Sequence, residues 1–373
     1  MIYRTLSHSY PKLALATYNV YEFPRVARIL YAVSGDGFGH ATRAHSVADG
    51  LLARGHDVRF IASLRSQSYL DGIYPGRVTP IFGLCLTYHQ GRVQNLRTVL
   101  DNIRRAWKEL GSARRNIQST FREFRPQLIV TDFEPITAFF AKRFCVPFVS
   151  LDNQHLLTHC DVELPPGLVR DLVSAYLTVR LYYGGARRYL IPTFIKAPVR
   201  HHPTTLVDPI LRTTVYEKRS REGSFLLAYK GAGGENDAMR ETLERHARMP
   251  IRAYGFGITG RRGRVTFRSH NRDGFLHDLS GCAGVIMSAG HSLACECLHL
   301  DKPMLAVPIG QQFEQAVNAY HVEKLGAGRR ADKLTPESID DFVDRLDIYR
   351  DRIRALPKAS LATALDSIER EIP

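Results

Sequence analysis

An α/β protein built from two doubly wound halves is the fold class this sequence predicts, on three observations. Short apolar runs bounded by glycine alternate with longer stretches of helical periodicity, the pattern of parallel βαβ units. The alternation starts afresh after a charged, proline-bearing region in the middle of the chain. At 373 residues there is length for about two domains, each with its own buried core.

The first half begins at Arg28–Ser34, a short apolar strand. The glycine-rich turn Gly35 to His40 follows, and a helix whose apolar positions Ala41, Ala44, Val47, Ala48, Leu51 and Leu52 recur at helical spacing until Gly55 ends it. Val58–Ala62 is the next strand, then a helix over about Val93 to Phe124, the strand Leu128–Thr131, a helix from Pro135 to Phe144, and the strand Val146–Leu151. Weak periodicity with prolines from Pro192 to Asp208, and the charged piece Tyr216–Gly223, mark the interdomain boundary. The second half runs from the strand Ser224–Tyr229 through a helix near Glu235 to Arg248 and the strands Ile251–Gly255, Ala283–Ser288 and Pro303–Val307. The resulting division is a loose extension (1–26), a first Rossmann-like domain (27–212), a second (213–355) and a C-terminal helix (356–373) that packs back on the first.

The formal charge of +14 favours anionic partners. Arg104, Arg105, Lys108, Arg114 and Arg115 fall in one helical stretch with Trp107 and Leu110 between them, which reads either as a solvated face or as a surface for anionic lipid. No aromatic-basic module of the RNA-binding type is present, so no nucleic-acid partner is expected. No apolar run approaches the ~20 residues of a membrane span. The six cysteines form no Cys-x-x-Cys pair and no zinc spacing, which suits a reducing cytoplasm and predicts no metal site. The expected location is cytoplasmic, peripheral on the inner face of the membrane where lipid is bound.

The Gly35–His40 turn departs from the dinucleotide fingerprint, because the sixth position is His40 and Gly39 comes one place early. A turn with Gly37, Phe38 and Gly39 still allows close approach of a ligand. His40 beside it is either a base for an acceptor hydroxyl or a histidine capping its own helix. Asp132 and Glu134 follow one strand; Asp152, Asn153, Gln154 and His155 follow another, where a parallel sheet presents its ligand-facing loops. Asp132 or Glu134 could orient His40, and Asp152 or His155 could share the proton work or touch the acceptor. Each carboxylate could equally cap a helix.

In the second half, Ser288, Gly290, His291 and Ser292 form a turn into a helix, whose start favours phosphate. Glu296 lies one turn on, placed for a ribose diol. Gln311, Glu314, Gln315 and Asn318 form a polar stripe suited to sugar hydroxyls or to solvent. Lys230, in the glycine-rich loop after the first strand of this half, is a candidate point charge for the diphosphate.

These residues resemble those of the GT-B fold glycosyltransferases, the group that includes the peptidoglycan lipid-intermediate N-acetylglucosaminyltransferase. The match is strongest in Ser34–Arg43, Thr131–Pro135, Asp152–His155 and Ser288–Gly328. The resemblance implies two Rossmann-like domains facing across a cleft. It further implies inverting transfer, without metal or cofactor, from a nucleotide sugar, usually UDP-linked, to a hydroxyl acceptor such as a lipid-linked or cell-envelope glycan precursor. Under it His40 matches the histidine of the N-terminal motif, Glu296 the ribose carboxylate, and Glu314 with Gln315 the pair on the donor sugar. The peptidoglycan enzyme has two glutamines at that pair and another residue in place of His291. Two rival readings are a nucleotide-sugar 2-epimerase on the same fold and a non-enzymatic nucleotide-sugar or membrane-surface binder.

Overall fold

The computed structural model describes residues 26–35, 38–83, 88–89, 92–93, 95–166, 176, 179–180, 184–231, 236–246, 248–269, 271–309 and 312–373. The extension before Val26, Gly37, Gln311 and the side chains of Phe38, Arg105 and Trp107 lie outside the description.

The first sheet holds β1 (Arg28–Val33), β2 (Asp57–Ala62), β3 (Val78–Pro80), β6 (Leu128–Asp132), β7 (Phe148–Leu151), β8 (Arg188–Pro192) and β9 (Thr204–Val207) in the order β3-β2-β1-β6-β7-β8-β9. The short β4 (Tyr88–His89) and β5 (Arg92–Val93) form a separate ribbon. All pairings in the first sheet are parallel, and the strand order reverses direction between β1 and β6. Strands of this kind are covered on both faces, so β1 sends Ile29, Tyr31 and Val33 into one core and Leu30 and Ala32 into the other. The covering helices include α1 (Phe38–Ala53), α2 (Leu64–Asp71), α3 (Asn95–Phe124) and α4 (Pro135–Arg143).

The second sheet contains β10 (Leu226–Tyr229), β11 (Ile251–Tyr254), β12 (Gly260–Arg262), β13 (Val265–Arg268), β14 (Gly284–Met287), β15 (Met304–Ala306) and β16 (Gly328–Arg330). Its order is β12-β13-β11-β10-β14-β15-β16, parallel except for the β12–β13 hairpin, and the reversal falls between β10 and β14. Leu227 faces one core while Leu226 and Ala228 face the other. Both sheets therefore have a switch point, and ligands of open α/β sheets bind there.

Within Pro192 to Asp208, β8 ends and β9 completes the first sheet, so the chain crosses to the second sheet after Val207. The last strand of the second sheet is β16, beyond Pro303–Val307. The helix after the glycine-rich turn begins at Phe38, so His40 lies inside its first turn. Among the described residues no helix is long and apolar enough to cross a membrane.

Candidate active site

Gly35 follows β1 so close to the next loop that a Cβ there would lie 2.5 Å from Ser63 Oγ and 2.7 Å from Ser63 O. Only glycine lets the chain turn there into α1. On the neighbouring strand, Asp132 is the Cα partner of Val33, which brings its carboxylate under the first turn of α1. His40 Nδ1 lies 2.6 Å from Asp132 Oδ1. Arg43, one turn further along α1, donates from Nε to Oδ2 at 2.7 Å and from Nη2 to Oδ1 at 2.5 Å. Asp132 is fully buried, and His40 retains 14% exposure. Burial works against the Arg43 charge, but Asp132 outweighs it and holds the guanidinium above its ordinary value. Phe133 adopts φ 52° and its ring lies 6.1 Å from the imidazole at 9°.

Glu134 has a different occupation. Its oxygens accept from the Ile136 and Thr137 N–H groups at 2.9 and 2.7 Å, capping α4. Of the two carboxylates at the end of β6 and just beyond it, Asp132 meets His40 and Glu134 serves as the helix cap.

After β7, Asp152 accepts from Ser150 Oγ at 2.7 Å and from the His155 N–H at 3.0 Å, with His155 Nδ1 2.8 Å away. Burial opposes its ionisation, but His155 and these hydrogen bonds prevail and hold it at about 2. Beside it, Asn153 Oδ1 and Gln154 Oε1 are buried and have no partner among the described residues. Buried acceptors without donors are uncommon, which marks these two as candidates for a ligand hydroxyl.

Across the cleft, β14 leads into Ser288, Ala289 with φ 60°, and Gly290, which caps the helix His291–His299 without a side chain. Among the described residues no side chain caps that helix, which leaves its first N–H groups available to an anion. Asn318 is buried and donates from Nδ2 to Ala289 O at 3.0 Å, so it holds this turn in shape instead of joining a sugar-facing stripe. His291 turns its ring inward, stacked 5.7 Å from Phe194 and 3.5 Å from Cys295 Sγ. Burial, then the Arg43 charge, lowers it to about 3. Its backbone, more than its ring, is what the turn presents.

Glu296 is held by Arg212 through two hydrogen bonds of 2.6 Å. Arg212 was not singled out by the sequence: it sits in an irregular stretch, and 84 residues separate it from its partner. Lys230 follows β10, and a Cβ on the adjoining Gly231 would stand 3.3 Å from Ser288 Oγ, so this loop borders the phosphate-facing turn.

The two halves meet at the starts of their helices. A Cβ on Gly39 would come within 2.9 Å of Ser292 Oγ. Glu314, in the helix Phe313–Lys324, is pushed up by burial and opposed by the charges of His40 and Arg43. Gln315 Oε1 accepts from the Ile309 N–H at 3.0 Å. The structure thus gathers Gly39, His40, Arg43 and Asp132 on one wall, with His291, Ser292 and Glu314 opposite.

The family model for glycosyl transferase family 1 matches residues 27–347. The chain belongs to that family. Solved structures agree with the architecture of this glycosyltransferase. The glycosyltransferase of kitacinnamycin is similar with a TM-score of 0.65 at 18% identity, over 94% of this chain and 100% of that one. UGT71G1 of Medicago truncatula, solved with UDP-glucose, has a TM-score of 0.65 at 13% identity, over 94% and 99%. MurG of Acinetobacter baumannii has a TM-score of 0.57 at 12% identity, over 92% and 99%. Among curated protein sequences none matches significantly. At these identities the structural likeness carries the GT-B fold, and the family match carries the enzyme class.

Proposed function

We propose that this glycosyltransferase moves a sugar from a nucleotide diphosphate donor, UDP-linked, to a hydroxyl acceptor by one displacement with inversion and without a metal ion. One observation carries the reading: His40, 2.6 Å from Asp132, adjoins Gly39, where a Cβ would come within 2.9 Å of Ser292 Oγ in the first turn of the helix His291–His299. A base on one wall and an anion site on the other are the two groups such a displacement needs.

In this reading the diphosphate lies on the backbone N–H groups of Gly290, His291 and Ser292, and the helix start and Lys230 add positive potential. Glu296 takes the ribose diol, with Arg212 as its neighbour. Glu314 and Gln315 approach the donor sugar, and Ser288 borders its phosphates. The acceptor enters between Gly39 and the Asn153–His155 loop, where two buried acceptor oxygens suit a hydroxyl donor. His40 Nε2 removes the hydroxyl proton as the oxygen bonds to the anomeric carbon and the carbon–phosphate oxygen bond breaks. Attack opposite the leaving group inverts the anomeric centre. Asp132 holds the ring and stabilises the imidazolium, while Asp152 orders the acceptor loop through His155.

The exposed basic residues of α3 support a lipid-linked acceptor approached from an anionic membrane surface. The test is a panel of UDP-, GDP- and dTDP-sugars with acceptor alcohols, read as nucleotide release and product mass. Nucleotide release that needs an acceptor is expected, and His40→Ala should lower turnover by ~10²–10⁴ while donor affinity holds. A UDP-sugar converted to its epimer without acceptor would replace transfer by epimerisation. Unchanged turnover in His40→Ala would remove the base assignment.

A further inference from the structure

Arg43 is a buried cation one helical turn beyond His40, on the same face of α1. Removing a guanidinium from water is costly unless a partner compensates, and Asp132 does so at both oxygens. That carboxylate is also shared: Oδ1 lies 2.6 Å from His40 Nδ1, while Arg43 Nη2 lies 3.0 Å from the same nitrogen. The trio Arg43–Asp132–His40 is neutral when the imidazole is neutral. A second proton on the pair takes the trio to a net charge of +1, a state reserved for the moment when the acceptor hydroxyl gives up its proton and the departing diphosphate carries the balancing negative charge.

We propose that Arg43 is a positioning residue for His40: by neutralising Asp132 from both oxygens, it lets the carboxylate fix the orientation and tautomer of the ring without drawing a second proton onto the pair. The proposal rests on the reading of His40 as the base.

The other groups around the trio are Tyr31 from β1, Asp152 and His155 after β7, His291 opposite Arg43, and Glu314 from the helix Phe313–Lys324. Tyr31 is kept protonated by burial and then by Asp132. Asp152 is already paired with His155. Neither replaces the cation that Arg43 supplies.

Two variants of the full chain, Arg43→Gln and Arg43→Lys, test this. The readouts are an NMR titration of the His40 imidazole, assigned by the resonance lost in His40→Ala, and the pH profile of UDP-sugar turnover. Without the guanidinium, the Asp132–His40 pair gains its proton at higher pH, whichever member holds it. The midpoint and the acidic limb of kcat should therefore rise together in Arg43→Gln by about one pH unit. The lost orientation should lower kcat roughly 10- to 100-fold, with donor KM little changed. Arg43→Lys keeps the charge and loses the fork, so its midpoint should stay near that of the parent while kcat stays reduced.

An unmoved midpoint in Arg43→Gln, or full activity in Arg43→Lys, would overturn the proposal. If Arg43→Gln does not fold, Arg43→Lys still decides on the fork. Should His40→Ala turn over normally, the base assignment falls, whereas the titration still reports whether Arg43 governs the pair.

Discussion

Single residues at this site are held by partners that sequence spacing does not reveal. His40 and Asp132 were both legible, because each follows a strand of a parallel sheet. Which carboxylate would meet the imidazole was not legible, since Asp132 and Glu134 are two apart and either could cap a helix. The register of β1 against β6 decides it, placing Asp132 beside Val33. His291 shows the opposite case: its place in the turn was plain, but the inward rotation of its ring depends on Phe194 and Cys295. That burial has a measurable consequence. A histidine held at about 3 when folded and 6.5 when unfolded favours the folded state fully above pH 6.5, and this contribution is lost as pH falls towards 3. The slope is at most about 1.4 kcal/mol per pH unit. Calorimetric melting from pH 7 to 4 should show a shallower acid loss in His291→Gln than in the parent. Parallel curves would mean that the ring is not buried in its neutral form.

At the scale of elements, several strands buried on both faces were readable because their sequences are continuous apolar runs, as in Ile29–Val33 and Val285–Met287, although the interior strand β8, whose apolar Tyr189–Ile191 sits between Arg188 and Pro192, was passed over. β9 and β16 were not, for physical reasons. Thr204–Val207 is half polar, and Gly328–Arg330 carries two arginines on the outermost strand, where one edge faces away from the sheet. The helix α3 was read almost to its ends. Its Arg104, Lys108 and Arg115 fall on one face at helical spacing, and all three are exposed. If this face meets an anionic bilayer, the chain should sediment with phosphatidylserine-containing vesicles at low salt and release at high salt, and a triple Arg104→Glu, Lys108→Glu, Arg115→Glu variant should lose binding. At ~1 kcal/mol per basic residue, the loss should reach at least tenfold. Equal sedimentation of parent and variant would mark α3 as an ordinary solvated surface.

On the scale of the whole molecule, the helix Ala362–Glu369 returns from the second sheet to the first, and Ala364, Leu365 and Ile368 lie in the same core as Ile29 and Leu51. Gly50 makes room for it: a Cβ there would stand 2.6 Å from Leu365 Cδ1. Arg54 and His56 add contacts to Glu369 at 2.6 and 2.9 Å. Leu365→Ala should lower stability by about 2–5 kcal/mol, the range for truncating a buried leucine, as measured by urea unfolding. A loss under about 0.5 kcal/mol, typical of a surface change, would mean that the return is loose. The covalent path therefore passes between the sheets twice, once after Val207 and again between Arg354 and Ala362. Two covalent crossings restrict how the two halves can move against each other. Any separation of the His40 imidazole from the helix start at Ser292 has to bend both crossings at once.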